Sequence, residues 1–280
     1  MLATQEKLGS SLPETLLALM ERHPDLVVTS FGPEHGAEAF AGLFPSRHHK
    51  VSPPRANLVE FAAGFTTRGL RPVVIGFSWD QTEILCAKPA PVILLGSDSF
   101  RDIAMMRAIP DMTVVIPGDA CEFRCALEEA LVHSGPVYIR VWTGSQPLRF
   151  QEPFPEFKIG KSRKLRDGVH LTIAACGAAT AIATEAADRL AGDGLSADLL
   201  EIPTIKPIDA DALIGSARKT GSVLTVEEHS ISGGLGSAVA ETLCRFFPTS
   251  MQMIAAEHGP VSEEKIARTA RLMAMSFESA

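Results

Sequence analysis

The sequence predicts an α/β protein with two doubly wound domains, and three observations support this prediction. Short strands rich in Val and Ile alternate with helix-period segments along most of the chain. The strands are apolar almost throughout, as expected for parallel sheets covered on both faces. A proline-containing, charged stretch without periodicity separates the two alternating series. With 280 residues and 46% hydrophobic composition, the chain is long enough to bury two cores.

The first predicted domain, residues 1–148, begins with a segment of helical period. Its predicted strands are each opened or closed by Pro or Gly, and they span 26–30, 72–77, 91–96, 113–117 and 136–142. The helix-period segments between them span 33–43, 56–68, 79–87, 101–108 and 119–133.

Residues 149–168, RFQEPFPEFKIGKSRKLRDG, have the composition of a linker. The second predicted domain, residues 169–280, has strands at 170–176, 196–202, 222–228 and 251–257. Helices are predicted at 178–191, 209–219 and 233–246, with a last helix from residue 262. This domain is therefore a second, smaller α/β unit.

Composition also excludes several classes of partner. The formal net charge is −7 and no basic block occurs, which argues against nucleic acid or an anionic membrane surface as a partner. No stretch reaches the roughly 20 apolar residues needed to span a bilayer, and the N-terminus has no signal-peptide pattern. We therefore expect a cytoplasmic protein.

The five cysteines include no C-x-x-C motif. Cys121 and Cys125 could share one helix face as metal ligands, but no second pair of ligands lies nearby in the sequence. Buried, hydrophobe-like thiols are the favoured interpretation, and we predict no metal site in this chain.

Gly192-Asp193-Gly194 matches the GDG that one enzyme class uses to hold Mg2+ and thiamine diphosphate. That motif must follow a strand and open a helix, and an asparagine must lie some 25 to 30 residues downstream. Here GDG ends a predicted helix, and the single asparagine, Asn57, lies upstream. The two glycines are therefore predicted to stop a helix.

GGLGSAVAE, residues 233–241, has the form of a glycine loop that enters a helix, where backbone N–H groups can hold an anion. It lacks the G-x-G-x-x-G spacing, so close packing or an interface turn is favoured over a phosphate site. Glu227, Glu228 and His229 precede it at a strand end, where ligands of α/β sheets collect. His229 is therefore a further candidate for a functional role.

Arg140 lies near the carboxyl end of a very apolar strand, and a buried charge must be paired. It either anchors an anion such as a phosphate or carboxylate, or bonds an acid of the protein. Asp80 and Gln81 begin a predicted helix, for which Asp is a good N-cap. His48 and His49 are predicted to be solvated loop residues.

The order of several segments resembles the C-terminal section of transketolase. The resemblance extends from about residue 14 to residue 246 and is carried by NLVEFAAGF, RDIAMMRAIPDMTVVIPGDACE, GPVYIR, TIKPID and EEHSISGGLGSAVAE. It implies a pyrimidine-binding domain followed by a transketolase C-terminal domain.

The resemblance further implies a split enzyme. A separate polypeptide equivalent to the N-terminal section would supply the thiamine diphosphate and Mg2+ ligands, and a dimer of this chain would form part of a heterotetramer. The cofactor would lie between the two domain types, so the isolated chain should bind it poorly.

Arg55 marks the main departure from the family pattern, which reads close to NVGIAEQNMVGIAAG. Superposed on residues 50–64, this pattern places the family's catalytic glutamate at Arg55 and its glutamine at Ala56. The glutamate hydrogen-bonds the aminopyrimidine ring and passes a proton. A guanidinium group stays protonated, so Arg55 is not expected to act as an acid or base.

Two family loops are also shortened, one between FSW and DQ and one between GSDS and RDIAMMR. They carry the pyrimidine stack and a substrate-facing histidine, which leaves Asp80 and Gln81 as weak cofactor-binding candidates. Arg140 falls on the family position that binds a sugar phosphate, and Asp119 is also retained.

Two hypotheses follow. The chain is either the small subunit of a transferase that moves a two-carbon ketol or acyl unit between small-molecule substrates, or a non-catalytic subunit that supports an active partner. A third possibility is a homodimer that binds a different small anion at Arg140.

Overall fold

The structure is a computed structural model that describes residues 8–31, 38–51, 57–77, 82–97, 100–141 and 157–278. The chain forms two compact units, Met1–Ile159 and Gly160–Ala280. The division falls inside the stretch 149–168 whose composition predicts a linker. Each unit is an α/β layered structure with a largely parallel sheet, which confirms the predicted fold class.

The first unit alternates strands and helices as the sequence predicts. Its elements are α1 (Leu8–Arg22), β1 (Leu26–Ser30), α2 (Glu38–Leu43), β2 (His48–Lys50), α3 (Leu58–Thr66), β3 (Arg71–Ile75), α4 (Ile84–Ala87), β4 (Ile93–Ser97), α5 (Asp102–Ala108), β5 (Thr113–Val115), α6 (Ala120–Val132) and β6 (Val137–Val141). The strands lie in the order β5-β6-β4-β3-β1-β2, and all neighbours are parallel.

The sheet order reverses at β1, because the chain passes from β1 to β2 on one side and then to β3 on the other. In open α/β sheets, such a reversal at the carboxyl ends of the strands is where ligands bind. The core beneath is formed by apolar side chains of the helices and strands, among them the fully buried Phe40, Phe123 and Leu16.

The second unit contains β7 (Arg163–Arg166), β8 (Leu171–Ala175), α7 (Ala179–Gly192), β9 (Ala197–Glu201), β10 (Thr204–Lys206), α8 (Ala210–Thr220), β11 (Ser222–Glu227), α9 (Leu235–Phe246), β12 (Ser250–Ala255), a short 3-10 helix (Ala256–His258) and α10 (Glu263–Glu278). Its sheet has the order β12-β11-β8-β9-β7. All neighbours are parallel except β7 and β9, which are antiparallel.

Strand β7 lies where the composition predicts a linker, so that prediction is wrong for residues 163–166. The strand contains no run of apolar residues, and its half-buried side chains alternate with exposed ones. Leu165 packs against the core of the second unit, and the Arg163 guanidinium binds the buried carboxylate of Glu201. Because this edge strand is mostly basic, its composition is typical of a linker rather than of a strand.

Strand β2 corrects the prediction that His48 and His49 are solvated loop residues. The two histidines pair in parallel register with Val28 and Thr29 of β1. This strand is only three residues long and contains no Val or Ile, so it carries none of the usual strand signals.

Among the helices of the described residues, none combines the length and apolarity that crossing a membrane requires.

Candidate functional site

Asp102 is the centre of a buried polar cluster at the β4–β6 side of the first sheet. One carboxylate oxygen, Oδ2, accepts hydrogen bonds from the Tyr138 hydroxyl at 2.7 Å and from Arg140 Nε at 2.9 Å. The other, Oδ1, accepts from the backbone N–H of Ile103 at 2.8 Å. The Asp102 side chain is 0% exposed and that of Arg140 is 8% exposed. This buried ion pair ties the first turn of α5 to β6.

The cluster identifies a protein acid as a partner of Arg140, which is one of the two alternatives that the sequence leaves open. Binding of a substrate phosphate by Arg140 stays a prediction. Asp102 itself was missed by the sequence reasoning. The sequence signal for Asp102 was an acidic residue at the start of a predicted helix. Such a residue is equally typical of helices whose N-terminus has no further role, so the signal does not identify a buried partner of Arg140.

Gly96 of β4 makes room for this cluster. It stands opposite Arg140 in the parallel register of β4 and β6. A Cβ atom at this position would collide with the ring of Tyr138. The close approach of β4 to the buried phenol therefore requires glycine here.

Asp119 is the N-cap of α6. Its carboxylate accepts from the backbone N–H of Glu122 at 2.8 Å, and the Glu122 carboxylate accepts from the backbone N–H of Gly118 at 2.6 Å. Both acidic side chains are completely buried. This exchange resembles a capping box, so the position of Asp119 has a structural explanation and its retention gives no independent sign of a functional role.

His48 lies against the carboxyl end of β1, where its Nε2 is 2.9 Å from the Ser30 hydroxyl oxygen. Its ring also approaches the Phe40 ring at 6.1 Å. Burial, together with the charges of His49 and Lys50, lowers the pKa of His48. The lowered pKa favours the neutral imidazole, which can share a hydrogen bond with the Ser30 hydroxyl.

Glu227 explains the glycine loop of the second unit. This completely buried carboxylate accepts from the backbone N–H of Leu235 at 2.7 Å and of Gly236 at 2.8 Å. A Cβ atom at Gly234 would collide with the Glu227 carboxylate. The backbone N–H groups at the N-terminus of α9 thus already bind an anion, which is the Glu227 carboxylate of the same chain. These contacts fit the close-packing alternative, and an interface turn stays a prediction.

His229 lies just beyond β11 and is 1% exposed. Its Nδ1 is 3.2 Å from the carbonyl oxygen of Ser230, and its own carbonyl accepts from Ala256 N at 3.3 Å. The neighbouring Ser230 hydroxyl and Ile231 N–H both bind the Glu257 carboxylate. These bonds connect the end of β11 to the end of β12, which gives His229 a structural environment; a catalytic role stays a prediction.

The GDG of residues 192–194 lies at the end of α7, as predicted. Asp193 is the C-cap of that helix, Gly194 has a φ of +84°, and the Asp193 carboxylate pairs with Arg271 of α10. A helix C-terminus presents carbonyl oxygens, which repel a diphosphate. This GDG therefore does not fit a diphosphate-binding motif.

The cysteine pair on α6 also has a structural role. Cys121 is buried, its sulfur lies 3.4 Å from a guanidinium nitrogen of Arg124, and Cys125 packs against the core of the first unit. Burial is the main factor that raises the pKa of the Cys125 thiol to about 11. A thiol that stays protonated at neutral pH is a poor metal ligand. Within the described ranges, His, Cys, Asp and Glu form no group of three that could hold a metal ion.

Arg55, Asp80 and Gln81 lie outside the described residues. The assignment of Arg55 to the position of the lost glutamate therefore stays a prediction, as do the two weak cofactor-binding candidates.

Three helix N-termini that could face the diphosphate of thiamine diphosphate already hold carboxylates of the chain. The N-terminus of α6 holds the Asp119 and Glu122 carboxylates, that of α8 holds Asp209, and that of α9 holds Glu227. These three ends bind the chain's own carboxylates, so they do not fit the diphosphate group, whereas the N-termini of α3 and α7 have no side-chain cap.

Comparison with known proteins identifies two family models that match parts of the chain. The family model "Transketolase, C-terminal domain" matches residues 160–266, and the model "Transketolase, pyrimidine binding domain" matches residues 97–145. A 6-deoxy-6-sulfo-D-fructose transketolase subunit of Clostridium sp. (strain MSTE9) is 36% identical over 236 residues, which cover 77% of this chain and 73% of that relative. This chain belongs to the transketolase family.

Two further members of the family show which part of it the chain represents. A putative transketolase C-terminal section of Methanocaldococcus jannaschii is 34% identical over 82% of this chain and 79% of its own length. A solved structure described as a split gene transketolase, inactive beta4 tetramer, superposes with a TM-score of 0.89 at 30% identity, covering 96% of this chain and 98% of the other. By contrast, the chain spans only 36–40% of the 1-deoxy-D-xylulose-5-phosphate synthases that it matches.

The family assignment thus confirms the predicted resemblance. The chain corresponds to the C-terminal section of transketolase and to split transketolase subunits. The match to the pyrimidine-binding model begins at Ser97, so the segment that contains Arg55 lies outside it.

Proposed function

We propose that this chain is the small subunit of a split, thiamine diphosphate-dependent transferase that moves a two-carbon ketol or acyl unit. It acts only with a separate subunit that supplies the diphosphate and Mg2+ ligands. The observation that carries the proposal is the pairing of a pyrimidine-binding domain with a transketolase C-terminal domain in one chain, whose GDG ends a helix and so does not fit a diphosphate-binding motif.

The named relatives support a heteromeric arrangement. The sulfofructose-specific relative is itself described as a subunit, and the solved tetramer, which is built from one kind of chain, is described as inactive. We therefore propose a dimer of this chain within a heterotetramer. The class of small-molecule substrate extends to sugars with a terminal phosphate or sulfonate, since both are anions that a guanidinium group can bind.

A non-catalytic supporting subunit is the second candidate function. It is favoured by the presence of Arg55 at the position that the family pattern gives to the catalytic glutamate. Loss of a general acid or base alone reduces the rate by roughly 10²–10⁴-fold. A complex that binds the cofactor but transfers no ketol unit would fit this second candidate.

The test is calorimetry with thiamine diphosphate and Mg2+ on the chain alone and on the chain co-purified with a transketolase N-terminal-section polypeptide from the same organism. We expect binding only by the complex, together with transfer from a sugar phosphate or sugar sulfonate donor. Absence of cofactor binding by the complex would refute the proposal.

Asp193→Asn in this chain is the matched control. Because the GDG of this chain ends a helix, its aspartate should be dispensable, whereas the same change in the GDG of the partner should abolish cofactor binding. Equal losses from both changes would show that the GDG of this chain holds the metal.

A further inference from the structure

Asp102 and Arg140 form an ion pair whose two members differ in exposure. The Asp102 side chain is 0% exposed, whereas that of Arg140 keeps 8% of its surface exposed. The carboxylate is therefore the inner member of the pair, and the guanidinium is the member nearer to solvent. A buried pair is weak evidence for stability alone, because apolar residues of similar volume often stabilise a core equally well. Its position in the fold indicates a further role.

The pair lies at the edge of the sheet where ligands of α/β proteins bind. Arg140 stands opposite Gly96 of β4, one residue before both β4 and β6 end. These two strands are parallel, so their carboxyl ends share one edge, and ligands of open α/β sheets bind outside that edge. Asp102 is the first residue of α5, the helix that follows β4 in the chain.

The Asp102 carboxylate fixes the orientation of the guanidinium. Its Oδ2 accepts from Arg140 Nε at 2.9 Å and from the Tyr138 hydroxyl at 2.7 Å. Its Oδ1 accepts from the backbone N–H of Ile103 at 2.8 Å, which ties the carboxylate to its own helix. Because Asp102 binds Nε, a second anion would use the terminal nitrogens of Arg140, whose N–H groups form a planar fork that matches the oxygens of a phosphate.

We propose that Asp102 is a positioning residue for anion recognition. It orients Arg140 so that the terminal nitrogens of the guanidinium bind the phosphate or sulfonate of a sugar substrate. This inference rests on the proposed function, because it assigns the residue that makes the same substrate site specific for a charged sugar. An arginine that is already held in place loses less rotational freedom when the anion binds, which strengthens binding.

Removing the negative charge of Asp102 separates positioning from simple electrostatics. A carboxylate beside Arg140 repels an incoming anion, so Asp102→Asn should tighten anion binding if charge were its only effect. Positioning predicts the opposite sign. The single amide oxygen of asparagine can accept from Arg140 or from the Ile103 N–H, but not from both, so the guanidinium is no longer tied to α5. Asparagine also keeps the size of the side chain, which preserves the packing.

An NMR titration of the full chain with D-fructose 6-phosphate, followed at the Nε–H signal of Arg140, tests the proposal directly. The signal is identified by its absence from Arg140→Lys. We expect it to shift with the sugar phosphate and not with D-fructose. Asp102→Asn should raise the Kd for the sugar phosphate at least about tenfold, which is the effect of losing a hydrogen bond to a charged group.

Glu201→Gln is the matched control. Glu201 is also a carboxylate whose side chain is 0% exposed, and it accepts from Arg163 Nε at 3.0 Å, but it belongs to the second unit. The equivalent loss of charge at this position should leave the Kd for the sugar phosphate unchanged. Equal weakening by the two variants would attribute the effect to lost stability and would overturn the proposal.

Transfer kinetics of the reconstituted complex separate the inference from the function on which it rests. Asp102→Asn should raise KM for D-fructose 6-phosphate at least about tenfold, with a smaller effect on kcat, and should not raise KM for D-fructose. No transfer from either sugar by the unmodified complex would refute the proposed function, and the NMR titration would still test the role of Asp102. Unchanged or tighter binding of the sugar phosphate by Asp102→Asn, or no shift of the Arg140 signal in the unmodified chain, would overturn the inference.

Discussion

Asp102→Ala should destabilise the first unit selectively. The substitution removes the carboxylate that binds Arg140 Nε and the Tyr138 hydroxyl inside the protein. Breaking a buried ion pair costs about 3–5 kcal/mol, because the remaining charge is left uncompensated. An intact domain is stable by about 5–15 kcal/mol. We therefore expect a loss of about 4 kcal/mol, which is a large part of the total stability.

Urea unfolding followed by tryptophan fluorescence measures this loss. Both tryptophans, Trp79 and Trp142, lie outside the described residues but within the residue range of the first unit, so we expect the signal to follow that unit. Arg140→Met alone should also destabilise, whereas the double variant Asp102→Ala/Arg140→Met should lose at least about 2 kcal/mol less than the sum of the two single losses. The reason is that removing both charges leaves neither one buried without its partner.

Glu128→Ala is the matched control in the same unit. Glu128 pairs with Arg22 on the surface, with side chains 41% and 56% exposed, and exposed pairs contribute about 0–1 kcal/mol. The argument that each buried charge depends on the other would be refuted by either of two results. One is a loss for the double variant equal to the sum of the two single losses, and the other is a cost below about 1 kcal/mol for Asp102→Ala.

Three further predictions follow from other contacts. Burial lowers the pKa of His48 and of His133, so the unfolded chain binds more protons than the folded chain near pH 6, and the free energy of unfolding of the first unit should fall as the pH drops from 7.5 to 5.5. His48→Gln should reduce this fall when urea titrations at the two pH values are compared. A pH dependence unchanged by the substitution would contradict the prediction. Glu227→Ala leaves two backbone N–H groups of α9 without their carboxylate, which should cost about 2–4 kcal/mol in thermal unfolding of the second unit, whereas Glu227→Gln should cost less because its amide oxygen can still accept a hydrogen bond. Equal costs would contradict this contribution of the hydrogen bonds. Arg55→Glu alone should not restore ordinary transketolase activity in the reconstituted complex, because the family resemblance predicts that the loop that stacks on the pyrimidine is shortened as well. Full activity in a ketol-transfer assay would contradict this.

The central strands of both sheets could be predicted from the sequence because their signal is local. Val and Ile runs bounded by Gly or Pro mark β1 and β6 within a residue or two of their observed ends. The strands that were missed are short, and in β2 and β7 the residues are mainly basic or polar. Such strands are held by pairing with an existing sheet, which no local pattern records.

The candidate site was less predictable, because its decisive contacts are distant in the sequence. Arg140 and Asp102 are 38 residues apart in the sequence. The sequence shows that a buried Arg140 needs a partner, but a bound anion and an acid of the protein both meet that need. Asp119 was recognised through the family pattern, but its capping bond to Glu122 is a local contact that the sequence alone could have shown. The prediction that GDG ends a helix is confirmed, because the residues that end a helix are neighbours in the sequence.

Glu227 has a consequence for the interpretation of glycine-rich sequence motifs. GGLGSAVAE resembles a nucleotide-binding loop, since a glycine pair leads directly into a helix, although it lacks the G-x-G-x-x-G spacing. Eight residues before Leu235, however, the chain places an acid at the end of the preceding strand, and the side chain folds back onto the loop amides. An acidic residue at that spacing is thus a sequence criterion for rejecting a false nucleotide-binding assignment, and it predicts that positions 227 and 234 covary as an acid and a glycine.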